Sequence, residues 1–383
     1  MSARSSSGGG EQWAWLGLLK WTLAHTDGTR PSSESPTMMS DEDKAFLEKV
    51  MAEGVIDECE RMKFILQEFS KAMDYYKSQT TEEKEEQDSP PVPPNEDDLE
   101  ELLQELRDIV EQIDYARGFV NLKGCQYLLG AISATISSSS SSSAPVVPSE
   151  IRNMCLGILS TLAQNNPPVQ KELVELGAIK ILSDIFLLDA TTTTTPLSTK
   201  TKIMQALSAI VRCYDLTETV FEHLPQTPLM MVQGLSSDPA VSNSSLRTKT
   251  LFFMRAFLTS DNSTVARANK FRHAIAIIAD TDSLYLNVND KASSDGSDYI
   301  AIQLRESTIS ILQQLLERRL AVTLLLQRKQ HLASLGVQRI QQLRSAKGGE
   351  AESAKVELQN WESFLVLLAR AEPEEKPTPK LLL

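Results

Sequence analysis

The chain has 383 residues and carries 51 Asp and Glu against 38 Lys and Arg, for a net charge of −13. An acidic surplus of this size opposes nucleic-acid phosphates, so no nucleic-acid partner is expected. No run reaches the roughly 18 apolar residues of a membrane span, and four scattered His with four widely spaced Cys show no metal-ligand spacing, so neither membrane insertion nor a cofactor is expected.

Residues 1–39 read as a flexible, mostly disordered segment that opens with a Ser/Gly tract. Within it WAWLGLLKWTLAHTDG predicts one short amphipathic helix over 12–24, with three tryptophans in nine residues. The helix is too short for a membrane span and lacks the cleavage pattern of a secretory signal. A soluble cytosolic protein is expected, with the nucleus as a further compartment. Residues 40–77 read as a helical hairpin: Phe46, Leu47 and Val50 on one arm, Ile56, Cys59, Met62, Ile65, Leu66 and Phe69 on the other, turning near Gly54. An acidic, proline-rich linker follows over 78–98.

From 99 to 369 the pattern repeats. Residues 150–188 predict three helices, with apolar residues of the first at 151, 154, 155, 158, 159 and 162. Asn165, Asn166, Pro167 and Pro168 stop that first helix. Arg152, Lys200 and Arg247 recur 48 and then 47 residues apart, and Leu159, Leu207 and Met254 keep the same offsets. A period of about 40–47 residues with two or three helices per unit points to armadillo or HEAT stacking. The fold class is therefore all-α, an armadillo-like right-handed α-solenoid. A Ser tract (137–143) and a Thr tract (191–195) fall in equivalent loops of successive units, and Gly124 stands to the first unit as Gly177 stands to the next. Two further long helices end the solenoid, and residues 370–383 form a flexible tail.

No catalytic motif is present: no P-loop, no GxSxG, no HExxH, no GxGxxG after a strand. Three of the four cysteines fall on apolar helix faces and read as packed thiols. The chain is not expected to be an enzyme. What remains is a binding surface. In an armadillo stack the long helix of each unit lines the concave face, and here those helices carry Arg152, Lys200, Lys202, Arg247 and Lys249, with Arg212 near a helix end. A helix start disfavours cations, so a recurring basic row in an acidic chain suggests an acidic protein partner. Gln164, Asn165 and Asn166 serve either as turn residues or as contacts at the concave rim.

These stretches, in this order, resemble the armadillo-type nucleotide-exchange factors of DnaK-type chaperones, the heat-shock-protein-70-binding protein family in its cytosolic branch. The resemblance is carried by LLKWTLAHTDG, MSDEDKAFLEKVMAEGVIDECERMKFILQEF, LEELLQELRDIVEQIDYARGFVNLKGCQYLL, IRNMCLGILSTLAQNN, KTKIMQALSAIVR and LRTKTLFFMRAFL, and covers about 12–280. It implies a monomeric co-chaperone whose concave face embraces one lobe of the heat shock protein 70 ATPase domain, so that ADP and then client leave. It also implies that Trp13, Trp15, Leu18, Leu19 and Trp21 mimic a client. The alternative is an armadillo adaptor holding an extended peptide. The recurring Trp of importin-type grooves is missing, since no Trp occurs between 22 and 360.

Overall fold

A computed structural model describes residues 41, 45, 57–78, 93–134, 147–188, 195–280, 297–345 and 349–372. The helix expected over 12–24, most of the first hairpin arm, most of the linker, the Ser tract, most of the Thr tract and most of the tail lie outside them. The chain divides into two compact units, 1–64 and 65–383. In the first, helix α1 (Glu58–Ser78) begins where Asp57 Oδ1 accepts from the amides of Cys59 and Glu60. Its second half belongs to the second unit, where Ile65, Phe69, Ala72 and Met73 are buried at helical spacing.

The second unit is a stack of three-helix modules. The first module is α2 (Glu96–Val110), α3 (Ile113–Asn121) and α4 (Gly124–Ser133). The second is α5 (Ser149–Ala163), α6 (Pro167–Glu175) and α7 (Ala178–Leu187). The third is α8 (Leu197–Val211), α9 (Asp215–His223) and α10 (Thr227–Gly234). The fourth is α11 (Ser244–Leu258), α12 (Val265–Lys270) and α13 (Arg272–Ile278). Each opens on a helix of 15 residues, and α2, α5, α8 and α11 pack in succession. The third helices α4, α7, α10 and α13 form a second layer behind them. This is an armadillo-like α-solenoid, with the units where the repeat places them. Helices α14 (Ser297–Glu317), α15 (Val322–Leu326), α16 (Lys329–Ser345) and α17 (Gly349–Arg370) close the stack, α17 packing on α14 and α16.

Three details differ from the sequence reading. The first long helix starts at Glu96, not Leu99, because Glu96, Asp97 and Asp98 favour a helix N-terminus electrostatically and extend it into the acidic linker. Gly177 and Gly124 are not equivalent. Gly177 is left-handed (φ 73°), which suits glycine, whereas in the first module Lys123 takes that conformation (φ 59°). Gly124 is needed for space, since a Cβ there would run into the Phe119 ring. Two of the four cysteines, not three, are packed: Cys125 and Cys155 are buried, Cys59 and Cys213 exposed. Cys213 leaves the apolar face because it adopts φ 64° in the turn after α8.

The modules are joined by buried polar side chains that cap the next long helix. Gln170 on α6 is buried, and its Nε2 donates to the carbonyls of Ala209, Ile210 and Arg212 at 3.0, 3.0 and 2.9 Å. One module on, Glu218 on α9 occupies the corresponding place and holds Arg267, whose Nη1 reaches Glu218 at 2.8 Å and the Phe257 carbonyl at 3.0 Å. Arg267 Nε also pairs with Glu222 at 2.7 Å, and its guanidinium lies 4.4 Å over the Phe257 ring. Around this joint Phe221, Phe253, Phe257 and Phe271 stack at centroid distances of 5.0–6.1 Å.

Removing one member of a buried ion pair strands the other. Arg267→Ala is expected to lower stability by about 3–5 kcal/mol in urea titration. Burial pushes the thiols of Cys125 and Cys155 up to about 12. In the folded protein at pH 8, Ellman's reagent should therefore react with Cys59 and Cys213 only, and with all four thiols after unfolding.

Candidate partner-binding surface

The long helices leave one stripe uncovered by other helices. On α5 it runs through Asn153, Met154, Gly157 and Thr161, on α8 through Thr201, Lys202 and Gln205, and on α11 through Thr248, Lys249, Phe252 and Arg255. The offsets of 48 and 47 residues put Met154, Lys202 and Lys249 at one level, and Gly157, Gln205 and Phe252 at the next. Most stripe residues are half-buried, but Phe252 is 51% exposed, an apolar ring in the open. Arg212, the residue capping α8, crosses to α11 and lays its guanidinium 4.5 Å above the Phe252 ring, with its Nε donating to the Ser208 carbonyl at 3.0 Å. Partial burial lowers the Arg212 pKa from its ordinary value, yet a guanidinium stays charged in a protein. With exposed Arg255, the result is a cationic patch around an aromatic face.

The recurring cations fall into two sets. Arg152 is half-buried, and its Nε donates to the Val147 carbonyl at 3.2 Å. Arg247 Nη1 donates to the carbonyls of Ser236 and Ser242 at 3.3 and 3.2 Å. Lys200 lies with its ammonium 5.3 Å over the Phe186 ring. Arg152 and Arg247 pin the chain that leads into their own helix, and Lys200 packs its helix against α7. Lys202 and Lys249 lie two residues further on, about 200° around a helix, on the uncovered stripe. Neither makes an ion pair or hydrogen bond with another described residue.

The turn after α5 is also divided. Gln164 is exposed and caps the helix, and Asn165 is exposed with φ 53°. Asn166 is buried, and neither atom of its amide finds a partner among the described residues, an arrangement that costs about 1–3 kcal/mol. Its backbone carbonyl starts α6 by accepting from Gln170. The client-mimic residues Trp13, Trp15, Leu18, Leu19 and Trp21 lie outside the described residues. Phe252 and Arg255 were not singled out from the sequence. Their signal was position alone, since they follow Lys249 at the spacing of one helix turn. Among the described residues no group of three or more His, Cys, Asp or Glu could hold a metal ion, and no helix is long and apolar enough to cross a membrane.

No family model matches the chain, and no curated protein matches it significantly. Solved structures with a similar fold include two engineered proteins. One is 13% identical with a TM-score of 0.45, over 76% of this chain and 97% of that one. The other is 13% identical with a TM-score of 0.48, over 93% and 68%. A designed armadillo repeat protein in complex with the peptide (KR)4 is 13% identical, with a TM-score of 0.44, over 76% and 99%. The fold class rests on the helix order and packing described above.

The two sets of cations should separate in stability measurements. Arg152→Ala and Arg247→Ala are expected to cost about 1–2 kcal/mol in urea titration through lost bonds to loop carbonyls. Lys202→Ala and Lys249→Ala should each change stability by less than about 0.5 kcal/mol.

Proposed function

We propose that the long-helix face holds an acidic surface of the ATPase domain of a heat-shock-protein-70-type chaperone, and that the chain is an adenine nucleotide-exchange factor. The observation that carries the reading is the stripe itself: Lys202, Lys249 and Arg255 on the same face as an exposed Phe252 that Arg212 covers, in a protein of net charge −13. An exposed aromatic flanked by cations is a common form of interface anchor, and its charge selects an acidic counterpart. The ordered resemblance of the repeats to chaperone exchange factors supplies the identity of that counterpart.

The mechanism needs no covalent chemistry in this chain. Exchange follows if the stripe binds the ATPase domain more tightly when its nucleotide cleft is open than when it is closed on ADP. The equilibrium then shifts toward the open state by that difference in affinity, and by linkage ADP weakens the complex by the same factor. ATP rebinding releases the client. The partner is bound by one copy of this chain in the cytosol, and the Trp-rich segment at 13–21 acts on the client site. Arg152, Lys200 and Arg247 serve this function indirectly, by fixing the helices that carry the contact residues.

Release of fluorescent ADP from a cytosolic heat-shock-protein-70-type chaperone tests the proposal. The chain should accelerate release, and Lys202→Glu with Lys249→Glu should cut the acceleration on the order of tenfold. Acceleration that survives the double reversal would move the contact surface elsewhere. No acceleration by folded protein would leave the other reading, an armadillo adaptor whose Phe252–Arg212 platform takes an extended peptide.

A further inference from the structure

A second surface lies away from the long-helix stripe. Helix α10 turns Gly234 and Met230 inward, with no room for a Cβ on Gly234 against Thr250 of α11. Leu229 and Val232 lie on its opposite face. There they line a cleft of about 640 Å³ with Pro225, Pro228, Ala274 and Ile277, and Leu229 is 54% exposed. Two modules and the closing helices contribute: α10 from the third module, α13 from the fourth, and Arg328 from the turn between α15 and α16. Such a cleft is large enough for a few apolar side chains and too small for a globular domain.

Its rim carries charge of one dominant sign. Lys270 and Arg328 line the cleft against a single acid, Asp280, with the His273 ring beside them. Lys270 donates to the backbone carbonyl of Glu222, which fixes its ammonium beside the opening without neutralising it. In a chain with 13 more acidic than basic residues, this local inversion is a selective feature. An apolar floor between fixed cations matches a segment with an apolar residue flanked by carboxylates. An anionic membrane would instead call for a broad, flat basic face, which a recessed cleft of this volume does not offer.

We propose that this cleft is a second docking site, for an acidic peptide segment of a protein partner that inserts one or two apolar side chains over Leu229 and Ile277. It is independent of the exchange-factor reading, because none of its residues lies on the stripe of α5, α8 and α11.

The test uses the full chain and fluorescein-labelled peptides of roughly a dozen residues built only from Glu, Asp, Leu and Phe, with Lys-for-acid counterparts. Anisotropy should show saturable binding of the acidic peptides only, weakened several-fold when salt is raised past the range of screening. Lys270→Glu with Arg328→Glu should weaken it on the order of tenfold. Leu229→Asp, at a half-exposed position the fold tolerates, should weaken it similarly with an unchanged circular dichroism spectrum. Lys202→Glu with Lys249→Glu should leave it unaltered, whatever those changes do to ADP release. Three outcomes would overturn the proposal: no saturable binding, equal binding of acidic and basic peptides, or binding lost with Lys202 and Lys249 instead.

Discussion

A long helix ends in carbonyl groups that have no partner within the helix, and in this stack those ends are buried. The fold depends on how the neighbouring module meets that need. Gln170 spans to the carbonyls of Ala209, Ile210 and Arg212 with one amide nitrogen. At the next joint the same need is met by different chemistry: Arg267, from the same module as α11 but held in place by Glu218 of the preceding one, reaches the Phe257 carbonyl, and Arg318, just past α14, donates to that of Thr259. Phe257 and Thr259 correspond to Ile210 and Arg212 in the 47-residue register, so the geometry is kept while the donors change. Each joint is therefore specific to its own pair of modules. Apolar packing alone would tolerate sliding or exchange of modules. A carbonyl left without its donor would not.

The same constraint prepares the binding surface. Because the long helices are held at both ends, the stripe on α8 and α11 presents its side chains at fixed levels. At the front end, Arg152 and Arg247 tie their helices to the preceding loop, and Lys200 ties α8 to Phe186 of α7. At the back end the caps do so, and Arg212 is used twice, as a backbone acceptor for Gln170 and as a cation over Phe252. Stability and recognition thus meet in one residue, on either side of its α-carbon.

The long helices and their spacing could be read from the chain because apolar residues recur at helical intervals over three units, and only burial imposes that. The assignment of cations could not. Lys200 and Lys202 are both lysines in one helix, and only the packing of Phe186 decides which of them turns inward. Gln170 and Arg267 escaped notice because polar residues ordinarily face water, and their burial is compensated by carbonyls some 40 and 10 residues away in sequence. Asn166 looks like any turn asparagine, yet it is buried without an amide partner among the described residues. The cleft beside α10 has no linear signal, since its walls come from two modules and the closing helices.

The front-end ties have a consequence for loop length. Val147 is buried with its carbonyl held by Arg152, and the Thr195 hydroxyl donates to the Ile185 carbonyl at 2.9 Å. Both points lie at or just after homopolymeric runs, of Ser and of Thr. Closing a loop between two fixed ends costs only about 0.6 kcal/mol more for each doubling of its length. Chains that differ in the number of serines would therefore keep the same long-helix joints, because the bonds that set each helix begin at the anchor.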